Sequence, residues 1–106
     1  MSVLTAAYAF PNTEGAIVNF KERYDNYIGG QWTPPVNGEY FDNVSPVTGK
    51  VYTKVARSTA EDIELAIDAA YNAKDSWGKT SVAERARILN KIADRMEENL
   101  ELLAVT

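Results

Sequence analysis

The chain has 106 residues, 45% of them hydrophobic and 25% charged, with a formal net charge of −4. These shares are those of a globular protein and exclude a disordered, collagen-like or disulfide-dense class, while the acidic balance excludes a phosphate-neutralising surface and with it nucleic acid as a partner. Cysteine and histidine are both absent, so the thiolate nucleophile, the imidazole base and the two commonest ligands of structural zinc are missing together.

Along residues 1–22 the apolar positions show no period, and Pro11, Asn12 and Gly15 interrupt any element before it grows. An extended amino-terminal arm is expected, with Val3, Leu4, Tyr8, Phe10, Ile17, Val18 and Phe20 scattered along it for docking on a larger body. No Lys or Arg precedes the apolar start, which is too short to span a bilayer. Neither a signal peptide nor a membrane partner is therefore expected, and the expected location is cytoplasmic.

Residues 23–57 predict two β-hairpins. The first runs Asp25 to Thr33 around Gly29-Gly30, a pair able to take the positive φ of a two-residue primed turn. Pro34 and Pro35 end its second strand, since neither donates to a ladder, and Asn37-Gly38 supplies the next turn. The second hairpin joins Tyr40–Val44 to 51–56 through the connection from Ser45 to Lys50. Val51, Thr53 and Val55 alternate there with Tyr52 and Lys54, the period of a half-buried strand.

Residues 58–106 predict an antiparallel helix pair. The first helix starts at Ser58 or Thr59, where the Ser58 to Glu61 spacing fits a capping box and Asp62 adds charge to the first turn. Its stripe is Ile63, Ala66, Ile67, Ala70, Lys74 and Trp77, apolar apart from the Lys stem, and Gly78 is its stop. A second capping box, Ser81 to Glu84, opens a helix striped by Leu89, Ile92, Ala93, Met96, Leu100 and Leu103, with Ile88 and Leu102 widening the stripe. No Gly, Asn or Pro ends this last stripe, so the second helix reads as truncated and the core as incomplete.

Three runs in order carry a family resemblance: Tyr27-Ile28-Gly29-Gly30-Gln31-Trp32, then Val44-Ser45-Pro46-Val47-Thr48-Gly49, then Ala60-Glu61-Asp62-Ile63 with Ala66, Ala69 and Ala70. With Ile92-Ala93-Asp94-Arg95 leading to Leu100 through Ala104, they resemble the start of an NAD(P)-dependent aldehyde dehydrogenase, most closely the bacterial acetaldehyde-oxidising members. The family pattern has Asn-Pro where this chain has Ser45-Pro46.

The resemblance implies an α/β parent fold with a Rossmann-like cofactor domain, of which this segment forms an incomplete part. It implies oxidation of small aldehydes to carboxylic acids with NAD or NADP through a Cys nucleophile beyond this stretch. It further implies a homo-oligomer whose remaining polypeptide is the partner of these faces. Within the segment no catalytic and no cofactor-binding residue is expected, nor any activity or bound cofactor on its own. The one site the resemblance offers is half of a monovalent-cation site, through the backbone carbonyls of Asn43 and Val44.

The residues themselves support the bland assignments. Glu61, Asp62 and Glu84 sit where helix caps and dipoles use them, and Gly29-Gly30 lacks the further glycine and following helix of a phosphate cradle. Arg87, Lys91 and Arg95 form a solvated ridge, and Trp32, Tyr40, Phe41 and Tyr52 read as core or cross-strand pairs. The alternative function is a non-catalytic α+β interaction module using its amphipathic helices to hold a partner protein.

Overall fold

The computed structural model describes residues 8–106; Val3 and Leu4 of the expected arm lie outside the described residues. The chain divides into two units, one made of Lys21–Lys79 and the other of the described part of Met1–Phe20 with Thr80–Thr106.

The Lys21–Lys79 unit holds five strands, β1 Arg23–Tyr24, β2 Asn26–Ile28, β3 Gln31–Thr33, β4 Tyr40–Val44 and β5 Val51–Ala56, followed by α1 Ala60–Gly78. Both expected hairpins form. In the first, Ile28 pairs with Gln31 across Gly29 and Gly30, whose φ angles of 61° and 81° are those of a type I′ turn, matching the twist of the strands it joins. In the second, β4 and β5 are antiparallel, and Lys50 O accepts from Ser45 N at 2.9 Å to close the connection.

The sheet differs from two separate hairpins in one respect. β1 pairs parallel to β5, Arg23 opposite Lys54 and Tyr24 opposite Val55, giving the order β1-β5-β4. Two residues are too few to show alternation in sequence. The pairing rests on backbone and side chain together: Lys54 N donates to Glu22 O at 3.1 Å, and the buried Thr53 hydroxyl donates to Lys21 O at 2.7 Å. Thr53 and Val55 keep the inward phase, whereas Val51 lies across a register shift and is exposed.

In the other unit residues 10–20 of the arm form a closed loop rather than a loose tail. Asn12, at φ 63°, uses its carboxamide oxygen to accept from Phe20 N at 2.8 Å, and the Asn19 carboxamide oxygen accepts from Asn12 N at 3.0 Å. Tyr8 donates to Glu101 at 3.1 Å, and Val18 is the only buried hydrophobic residue among those described. The expected single second helix is two: α2 Val82–Glu98 and α3 Leu100–Val105. Asn99, at φ −115°, breaks the helical run and donates from its carboxamide to Arg95 O at 2.9 Å, satisfying a carbonyl the helix end leaves open. α1 and α2 belong to different units.

Candidate functional site

Two of the three acidic residues singled out in the sequence, Asp62 and Glu84, have side-chain partners. Asp62 is 2% exposed, and its two oxygens accept from Thr59 N at 2.8 Å and Val36 N at 2.9 Å. The Thr59 amide first, and the Val36 amide second, hold its carboxyl below the usual carboxylate range. The capping box is thus Thr59 with Asp62, one residue later than the Ser58–Glu61 spacing predicts, because Thr59 is the residue with extended backbone. Glu61 is exposed on the first turn.

Only half of the second box forms. Ser81 Oγ accepts from Glu84 N at 3.1 Å, but the Glu84 carboxylate turns to Arg87 with contacts of 2.6 and 2.9 Å, and that pairing lowers its pKa. A two-pronged guanidinium contact outcompetes the single bond back to the cap. Arg95 leans toward Glu98 at 3.4 Å. The basic ridge is therefore partly neutralised along its own helix.

The aromatic residues do not form a common cup. Trp32 stands edge-on to Tyr27 at 5.1 Å with Lys21 Nζ 5.0 Å from its ring. Arg57 covers Phe41 at 5.1 Å and Arg23 covers Tyr40 at 4.8 Å, arrangements that place cations over ring faces. Tyr40 also donates to Asp25, a short bond that raises its phenol pKa. The Asp25–Tyr40 and Val36–Asp62 contacts have no signal in the sequence, since each joins residues whose separation is set only by the fold.

Asn43 and Val44 lie on β4 opposite Thr53 and Val51, so Tyr52 is the extra residue of a bulge at this step. A bulge disrupts the ladder locally at this step. Among the described residues no three His, Cys, Asp or Glu side chains group to hold a metal, and no helix is long and apolar enough to cross a membrane.

Two open grooves stand out among the described residues. One, of about 490 Å³, is lined by Ile88, Ile92, Met96, Leu102 and Leu103, with Lys91, Arg95 and Asn99 also along it. The other, of about 410 Å³, lies between the turn Tyr27–Gly30 and the small residues Ala66, Ala69, Ala70 and Ala73 of α1. Most of the helix stripe is bare: Ile63, Ile67, Leu89, Ile92, Met96 and Leu100 are each about half or more exposed. Apolar faces of this extent mark contact surfaces rather than reaction centres.

Residues 32–106 match the aldehyde dehydrogenase family. Over 92% of this chain, an aldehyde dehydrogenase of Deinococcus radiodurans is 69% identical. An acetaldehyde dehydrogenase of Pseudomonas aeruginosa is 64% identical over 93%, and a long-chain-aldehyde dehydrogenase of Acinetobacter is 59% identical over 92%. The chain spans 19–20% of the length of these curated relatives. In solved structures, PnpE in complex with nicotinamide adenine dinucleotide superposes with a TM-score of 0.74 at 42% identity, over 76% of this chain and 17% of that one. A 3,6-anhydro-L-galactose dehydrogenase, bound to the phosphorylated dinucleotide, also gives 0.74, at 32% identity over 77% of this chain and 17% of that one.

Proposed function

The chain belongs to the aldehyde dehydrogenase family, and we propose on that premise that it is the amino-terminal scaffold of an enzyme oxidising small aldehydes to carboxylic acids with NAD or NADP. In that reaction the aldehyde carbon passes hydride to the nicotinamide and takes oxygen from water. The required Cys nucleophile and carboxylate base lie outside these 106 residues, which contain no cysteine. This chain contributes packing surface. Its bare stripes on α1, α2 and α3 take the remainder of the same polypeptide as their partner.

The observation that carries the reading is the exposure of those stripes in a chain whose relatives, at 59–69% identity, are about five times its length. A self-contained interaction module finds no support among the relatives, which are dehydrogenases. The same proposal includes a cytoplasmic homo-oligomer. It also includes a monovalent cation held by the backbone carbonyls of Asn43 and Val44 beside the Tyr52 bulge, completed by ligands elsewhere in the polypeptide.

The test is to assay the 106-residue chain and the full-length polypeptide against acetaldehyde and longer aldehydes with each dinucleotide, following the reduced nicotinamide by absorbance. Full-length turnover favouring short aldehydes, with none from the short chain, is the expected outcome. Turnover by the short chain would overthrow its scaffold role. Preference for long-chain aldehydes would overthrow the substrate class.

A further inference from the structure

Eight asparagines occur in the chain, and Asn37 alone is followed by glycine. It sits at an exposed turn between β3 and β4. Several other asparagine side chains are engaged: Asn12 and Asn19 stitch the arm loop, Asn26 donates to Ser58 at 2.8 Å and Asn99 donates to Arg95 O. Among the described residues none holds the Asn37 carboxamide. Gly38 has φ 66°, with open space beside its Cα, and as glycine it carries no side chain of its own to hinder attack by its amide nitrogen.

One contact opposes reaction there. The Gly38 N–H donates to Pro35 O at 2.8 Å, closing the turn over residues 35–38, and Val36 N in the same turn is held by buried Asp62 at 2.9 Å. A nitrogen that donates to Pro35 is neither free to lose its proton nor turned toward the carboxamide.

We propose that Asn37-Gly38 is a spontaneous modification site, an asparagine that converts to aspartate and isoaspartate at a rate gated by the turn that Asp62 pins to α1. The Gly38 nitrogen, its proton lost to solvent, attacks the Asn37 carboxamide carbon. The new C–N bond closes a five-membered imide while the bond to the side-chain nitrogen breaks and ammonia leaves with a proton from water. Water then opens the imide at either carbonyl. The net change is amide plus water to carboxylate plus ammonium, with no oxidant or reductant. Either product adds a negative charge next to Glu39, and isoaspartate also lengthens the main chain where it enters β4, loosening the turn from Asp62.

The experiment incubates the full-length protein at neutral pH, natively and in urea, and follows the tryptic peptide 24–50, which contains Asn26, Asn37 and Asn43 as mutual controls. Mass spectrometry reads the conversion, and chromatography separates the isoaspartyl form. Expected are conversion at Asn37 well ahead of Asn26 and Asn43, slower natively than in urea, and a several-fold native acceleration by D62N. G38A should slow Asn37 in urea, where folding plays no part. An intact native Asn37 after the urea sample has fully converted overturns the site, as does an unchanged urea rate in G38A. Equal native and urea rates overturn the gate, and that comparison alone decides it should D62N unfold. A folded D62N converting at the wild-type rate overturns the role of Asp62.

Discussion

Two residues show how single positions tie local geometry to stability. Gly30 sits at φ 81° in the turn between β2 and β3, a region where a Cβ is strained, so Gly30→Ala in the full-length protein is expected to cost about 1 kcal/mol. Asparagine tolerates this region, so Gly29→Asn should be milder, its Cβ meeting only Ala69 at an ordinary 3.9 Å. Urea melts of both variants check the order, and equal losses would contradict it. Asp62 gives a pH signature. Its folded pKa lies below the ordinary 3.8 because the Thr59 and Val36 amides bind the charged form. Its contribution is therefore fully present above 3.8 and lost as pH falls through the lower folded value. Asp62→Asn should lower the melting temperature by a few degrees at neutral pH, with a gap that narrows in acid. A gap constant from neutral to strongly acidic pH would rule this out.

At the scale of elements, helices are specified by their stripes and caps, while their cover lies elsewhere. Ile92 is 47% exposed in α2. In the short chain, which lacks a cooperative core, Ile92→Ala removes little buried surface and should leave the broad unfolding profile essentially unchanged. In the full-length enzyme, where the proposed remainder of the polypeptide covers the groove, the same change should cost on the order of 2–5 kcal/mol through the cavity left behind, with little effect on KM. Denaturant titrations of both forms measure the difference. Equal small losses in both would show that the groove stays open in the enzyme.

For the whole molecule, the described residues bury a single hydrophobic side chain, Val18, and leave large ones exposed in both units. A chain that buries so little apolar surface gains too little to offset its conformational entropy with a cooperative core. The isolated chain should therefore bind ANS strongly, melt over a broad range and sediment as concentration-dependent oligomers. A sharp, dye-free monomeric transition would contradict this. Co-expression with the rest of the enzyme as a separate fragment should suppress dye binding, since the covering surface is then supplied in trans.

The sequence by itself determined what depends on neighbours along the chain. The primed turn needs only Gly29-Gly30 between short strands, and the absence of any thiolate or imidazole follows from the missing Cys and His; α1 does reach Gly78, but that glycine stays helical and Lys79 is the cap. The family was legible too, in the order of motifs from Tyr27 to Ala104 rather than in any one of them. Tertiary structure decided what depends on residues brought together across the chain. It placed Arg23-Tyr24 beside β5 in parallel and joined Val36 to Asp62 across 26 positions; the Thr59–Asp62 box and the Glu84–Arg87 pair, each three residues apart, were settled locally at the helices themselves. Each of these is a choice among competing hydrogen-bond partners. The spacing of residue types cannot resolve such a choice, because the outcome turns on which donor the fold brings within about 3 Å of an acceptor.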